Sequence, residues 1–360
     1  MISLSTKTAV RDVWVGAWLL VIGLFVFAMV VVGGATRLTE SGLSITEWKP
    51  ISGALPPMRA ADWARVFAQY RETTQYQILN SGMTLSEFQS IFWWEWSHRL
   101  LGRVIGLLFA APLIVFWLRG RLKGRLASVL LLFALGGLQG FVGWLMVQSG
   151  LSGRTEVNPA WLAAHLAVAF TIIAYAIWLA LDAFGWPGTE SKLGAPRWAP
   201  VALMMLIFVQ VMLGALLAGA RGGAAYPDWP TIGHAWIPVS AFSLEPFARN
   251  FIDNHATQHL MHRTTGYLVA LGALAIATLA ALRGTGAARS AGVVVGVLAV
   301  CQAALGVTTI LLLDPLALAL AHQAGAALLW GTVAILVRTT YGNIKPLSQT
   351  SVNTGENAVS

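Results

Sequence analysis

Eight nearly unbroken apolar stretches alternate with shorter polar ones along the chain, near residues 14–34, 95–118, 126–147, 159–181, 198–219, 257–282, 289–313 and 316–338. At 1.5 Å per helical residue each is long enough to cross roughly 30 Å of hydrocarbon. The pattern predicts an all-α integral membrane protein with eight transmembrane helices. Composition agrees, because only 11% of the 360 residues are charged while 57% are hydrophobic. The 16 Trp and 36 Gly also suit a membrane protein, since Trp collects at bilayer interfaces and Gly is frequent in membrane helices. A net charge of +8 would otherwise suggest nucleic acid. The bases sit in short clusters between apolar runs, however, so they mark topology, and the expected surroundings are membrane lipid with no nucleic acid. One cysteine, Cys301, excludes a disulfide framework and any cysteine-based zinc or iron–sulfur site held by this chain alone.

The loops predict orientation. That after the second span carries Arg119, Arg121, Lys123 and Arg125 with no acid, and that after the sixth carries Arg283 and Arg289. Both are expected in the cytoplasm, with both chain termini. The first span leads into Gly33-Gly34-Ala35-Thr36-Arg37, not a small-residue cleavage site, so it is expected to stay as a helix. With no Arg- and Ser-rich transit peptide, the expected location is a bacterial plasma (inner) membrane. Two long segments, about 35–94 and 220–256, then fall on the outer face as candidate lids.

The chain repeats itself once. His98-Arg99-Leu100-Leu101-Gly102 corresponds to His262-Arg263-Thr264-Thr265-Gly266, a spacing of 164; Gln139 and Gly143 match Gln302 and Gly306 at 163; Ala164-His165 matches Ala321-His322 at 157. With the looser match of Gly34-Ala35-Thr36-Arg37 to Gly219-Ala220-Arg221, four such matches in one order predict two tandem, pseudo-symmetric four-helix bundles. The expected domains are 1–182, 183–340 and a polar cytoplasmic tail at 341–360.

Four histidines, His98, His165, His262 and His322, lie in even-numbered spans near the outer face. Taken singly, each is most simply a satisfied interhelical polar residue. As two equivalent pairs they suit axial ligation of haem iron, and ionisable groups inside a membrane mark sites. Glu95 lies one helical turn before His98, on its face, whereas the second half has His259 at the matching place. An acid kept in one half only predicts one reactive and one auxiliary site; the bland alternative is an interfacial carboxylate paired with Arg99. Arg37, Arg99, Arg221 and Arg263 stand near the outer helix ends, suited equally to haem propionates and to lipid headgroups. His234, His255 and His259 read as surface or loop residues, Gln139, Gly143, Gln302 and Gly306 as close-packing residues, and the Trp cluster at 93–96 as an interface belt.

The run Gly33-Gly34-Ala35-Thr36-Arg37-Leu38-Thr39-Glu40-Ser41-Gly42-Leu43-Ser44-Ile45-Thr46-Glu47-Trp48-Lys49-Pro50 stands with Gly53-Ala54-Leu55-Pro56-Pro57 and Glu95-x-x-His98-Arg99-x-x-Gly102-Arg103. Together these closely resemble the haem A synthase family in its proteobacterial and mitochondrial form, over nearly all of residues 12–340. The resemblance implies an oxidoreductase that converts the C8 methyl of haem O to a formyl group, making haem A for terminal oxidases. It implies a resident haem b held axially by His262 and His322, substrate haem O at His98 and His165, and Glu95 as the catalytic acid. The partner expected from it is the haem O synthase (protohaem farnesyltransferase); self-association into a homo-oligomer stays open. The paired cysteines that some Gram-positive members carry in the first outer segment are missing here. A di-haem transmembrane cytochrome b conduit is the rival class and would have no use for Glu95. A transporter would need broken helices and midplane charges, which these spans lack.

Overall fold

A computed structural model describes residues 11–151, 153–186 and 191–341. In chain order its helices are α1 (Val13–Leu38), α2 (Ala60–Arg71), α3 (Thr74–Leu79), α4 (Leu85–Leu118), α5 (Leu126–Leu151), α6 (Pro159–Phe184), α7 (Ala199–Gly219), α8 (Asn250–Asp253), α9 (His255–Arg283), α10 (Gly286–Leu311) and α11 (Leu316–Tyr341), with single 3₁₀ turns at Ser52–Ala54 and Phe247–Arg249. Among the described residues eight helices, α1, α4, α5, α6, α7, α9, α10 and α11, are long and apolar enough to cross a membrane. None of these residues forms a β-strand; two isolated bridges, Lys192 with Thr285 and Ile232 with Ala235, are the only such pairings. The protein is an all-helical membrane protein. The polar tail expected at 341–360 lies, beyond Tyr341, outside the described residues.

Helix ends follow local chemistry. Asp12 caps α1 by accepting from the Val15 amide at 3.0 Å, and Arg121 grips the same carboxylate at 2.6 Å. Asn158 caps α6 ahead of Pro159, and Gly185, at a φ of 72°, ends that helix in the left-handed region, where a side chain would be strained. The largest departure from the apolar pattern is α4, which begins at Leu85, ten residues before the apolar run that starts at 95. Thr84 and Glu87 form a reciprocal capping box there, and Phe88 and Phe92 turn into a small apolar core with the buried Tyr70, flanked by Trp63, Phe67 and Tyr76. The first outer segment, expected as a candidate lid, is a small packed unit that includes α2 and α3.

α1 packs against α4 and α6, α5 against α6, α7 against α6 and α9, and α10 between α9 and α11, while α11 also touches α1, α6 and α7. Buried side chains from all of them make one continuous apolar core. Pro112 lies inside α4. Lacking an N–H, it leaves the Leu108 carbonyl without its helical donor, and the Trp18 indole of α1 donates to that oxygen at 2.9 Å. Trp330 of α11 likewise donates to the Phe170 carbonyl of α6 at 2.7 Å. Large lipid-compatible side chains remain on the outside, including Trp14, Leu107 and Leu271.

Candidate functional site

α4 and α6 bring His98 and His165 within electrostatic reach of one another, and α9 and α11 do the same for His262 and His322. Each ring lies against a glycine of a neighbouring helix. A Cβ on Gly33 would stand 3.2 Å from His98 Nε2, and Cβ atoms on Gly143, Gly214 and Gly306 would each stand 2.8 Å from Cε1 of His165, His262 and His322 in turn. Real side chains do not tolerate the three closest of these contacts, so glycine is what lets the imidazoles sit there. The glutamines are not mere spacers. Gln139 Nε2 lies 3.1 Å from His165 Nε2, Gln210 Nε2 lies 3.3 Å from His262 Nε2, and Gln302 Nε2 lies 3.1 Å from His322 Nδ1.

Several polar atoms here are buried without a hydrogen-bond partner: His165 Nδ1, His262 Nδ1, and the amide oxygens of Gln139, Gln210 and Gln302. Orphaned polar atoms in an apolar interior are costly and mark a place where something else binds. No group of three or more His, Cys, Asp or Glu placed to hold a metal ion occurs among the described residues; each half offers a pair of imidazoles on two helices. That donor set fits haem iron, whose macrocycle supplies the equatorial ligands.

Glu95 is 2% exposed and fully engaged. Its Oε2 accepts from Ser44 Oγ at 2.8 Å and from the Ile45 amide at 2.7 Å, and its Oε1 accepts from Arg99 Nε at 3.1 Å and from Arg99 Nη2. Arg99 also donates to the Glu47 and Ile45 carbonyls, and Arg103 to those of Pro50 and Lys49. Glu95, Arg99 and Arg103 repeat every four residues, so one stripe of α4 straps down residues 44–50. Within this strap the Lys49 ammonium, ahead of the opposing effect of burial, holds the Glu47 carboxyl below its usual range.

The second half reproduces the strap with different chemistry. His259 is fully buried, unlike the surface residue its loop-like setting suggested. Its Nε2 lies 2.7 Å from the Gly222 carbonyl and its Nδ1 3.2 Å from Arg263 Nη2. Arg263 donates to the Asp228, Thr231 and Tyr226 carbonyls. Partial burial of Asp228 opposes ionisation, but the His234 and Gly233 amides and the Thr231 hydroxyl hold its carboxyl well below the ordinary range. His234 is exposed, and His255 Nδ1 meets Gln258 Oε1 at 3.3 Å.

Arg37 and Arg221 form a third cluster. Glu156 pairs with Arg221 at 2.7 Å and with Arg37 at 3.4 Å, Arg37 also donates to the Ala218 carbonyl, and Arg221 reaches Glu40 at 3.1 Å. All four arginines singled out in the sequence are thus tied to backbone carbonyls or carboxylates. In the same region burial pushes the Asp314 carboxyl up against the pull of Arg37.

An eight-span helical membrane protein with two glycine-cradled histidine pairs is thereby defined, and comparison with known proteins gives its family. Residues 16–334 match the family model described as cytochrome oxidase assembly protein, COX15-CtaA. The chain is 49% identical to a protein of Methylobacterium radiotolerans over 92% of both chains. It is 47% identical to one of Maricaulis maris over 88% of this chain and 93% of that one, and 51% identical to one of Rhodopseudomonas palustris over 88% and 87%. All three carry the name heme A synthase. This chain belongs to the COX15-CtaA family.

Proposed function

We propose that the chain is a haem A synthase, oxidising the C8 methyl of haem O to a formyl group to supply haem A to terminal oxidases. The observation that carries the reading is an asymmetry: both halves have the same glycine-cradled histidine pair, and a buried carboxylate stands one turn from the first pair only. Relatives named heme A synthase along almost the whole chain support it. In this reading residues 1–182 form a bundle for substrate and 183–340 a bundle for a resident cofactor. Both termini face the cytoplasm of a bacterium, and haem O comes from the protohaem farnesyltransferase.

His98 and His165 are the axial ligands of the substrate, and they orient its C8 methyl toward Glu95. Two successive two-electron oxidations, each turning one C–H bond into C–OH while an oxidant from outside the chain takes the two electrons, bring that methyl to an alcohol and then to a hydrated aldehyde, which loses water. Glu95, with both oxygens already held, serves as a fixed negative charge toward which positive character builds at the methyl carbon; releasing Ser44 frees Oε2 to take a proton. His262 and His322 would hold haem b, with Gln210 and Gln302 against their rings. Haem b, when bound, supplies an electron-transfer centre. Arg37, Arg99, Arg221 and Arg263 lie at the end of the helices where haem propionates would emerge.

Pigment extraction tests the reading. Membranes containing the chain should convert supplied haem O to haem A, and purified protein should hold tight haem b that is lost when His262 or His322 becomes Ala. Two permanently bound haems with no haem A formed would instead identify an electron conduit.

A further inference from the structure

The halves differ in how their second and third spans meet. α9 and α10 approach backbone to backbone: a Cβ on Gly292 would stand 2.7 Å from Ala280 Cβ, and one on Gly296 2.4 Å from Ala277 Cβ. Their counterparts α4 and α5 touch at only a few positions. The repeat spacings of 164 and 163 explain the contrast. Phe109 and Phe116 stand where the second half has Ala273 and Ala280, and Val129 and Phe133 where it has Gly292 and Gly296. The Phe109 and Phe133 rings meet with centroids 5.3 Å apart and wedge the two helices open.

Between this wedge and the histidines, the cleft is floored by Gly106, Gly136, Gly137 and Gly140. All four are exposed, and a Cβ on any of them would meet nothing within 4 Å. The matching positions in the second half are Ala270, Ala299, Val300 and Ala303. Between Gly137 and Gly140 on α5 stands Gln139, whose Nε2 lies 3.1 Å from His165 Nε2, and Gln139 Oε1 and His165 Nδ1 are buried and unpartnered. Alongside His98 on α4, residues 44–50 are strapped to Glu95, Arg99 and Arg103.

We propose that the cleft between α4 and α5 is a lateral port through which haem O passes between the lipid and the His98–His165 pair, while the closed α9–α10 seam keeps the second half from exchanging its haem. The inference rests on the reading of that pair as the substrate site. A flat tetrapyrrole with a long apolar tail partitions into hydrocarbon, and it fits a groove that is apolar, side-chain-free along its floor and ends in imidazole and amide.

Full-length protein in phospholipid nanodiscs provides the test. In Gly136→Leu/Gly140→Leu, haem O uptake followed by stopped-flow absorbance, and kcat/KM with it, should fall at least about tenfold while the resident haem spectrum is unchanged. Ala303→Leu, the matching change in the second half, should leave uptake alone. Normal uptake in the double variant overturns the port. A second route makes the block after folding: Gly140→Cys in a Cys301→Ser background, alkylated with a bulky lipid-soluble maleimide. Alkylation should stop uptake, and bound haem O should protect the cysteine. Uptake that survives complete alkylation, or protection by phospholipid alone, overturns the proposal. His98→Ala and His165→Ala separate the two claims. If they still bind haem O normally, the substrate-site reading fails and the port with it; if they do not while the leucine variants load normally, the port alone fails.

Discussion

At the scale of single residues, Glu95 is defined by saturation: four donors meet two oxygens in a site closed to water. Glu95→Gln keeps the shape and removes the charge, and it sets an amide N–H₂ against the Arg99 guanidinium. Haem A formation should fall ~10²- to 10³-fold, the range for losing a preorganised electrostatic partner, with haem O or its alcohol accumulating and the resident haem spectrum intact. Wild-type rates in this variant would leave Glu95 a mere anchor of the 44–50 strap. The place of Glu95 one turn from His98 on α4 was legible in the sequence, because three residues are close to one helical turn. The burial of His259 was not, since its partner is the carbonyl of Gly222, 37 residues away, and a backbone oxygen leaves no mark in a sequence. The sequence points to packing for Gln139 and Gln302, and to nothing for Gln210, for a similar reason. A Gln four residues before a Gly looks like spacing until the ring that fills the space is known.

At the scale of elements, the glycines set how closely helices can carry imidazoles. Gly214→Ala and Gly306→Ala would each place a methyl 2.8 Å from a histidine carbon, a contact relieved only by moving the ring or the helix. Both should weaken or shift the resident haem absorbance. Gly272→Ala, whose new methyl would meet Leu203 at an ordinary 3.6 Å, should not. Equal spectra in all three would show that the cradle is incidental. Helix number and most boundaries were readable from apolar run length, because lipid demands it. The start of α4 was not, because its first turns serve a small water-facing core whose signal, Thr84-x-x-Glu87, is a capping pattern and not an apolar one.

For the whole molecule, Glu156 is, among the described residues, the one carboxylate that pairs with both Arg37 of the first half and Arg221 of the second. Glu156→Gln would leave two guanidiniums facing each other at a partly exposed site. The loss should be roughly 1 kcal/mol, a few degrees in the temperature at which purified protein loses its haem spectrum; no change would mean that the junction is held by apolar packing alone. Orientation is checked by reporter fusions, which should place the 119–125 and 283–289 loops in the cytoplasm. The tandem repeat was visible in the sequence, but the difference in closure between α4–α5 and α9–α10 emerges only when bulky and small residues are compared across the repeat in register. A last consequence comes from α4 running unbroken from Leu85 to Leu118 through Phe88, Phe92, Glu95 and His98. Each helical residue turns the side-chain direction by about 100°. Adding or removing one residue between Phe92 and Glu95 would therefore swing the acid and the ligand off their faces together, or tear the aromatic core apart. Lineages of this protein can change the identity of the residues in that stretch, but not its length, and insertions and deletions should be found on the far side of Thr84.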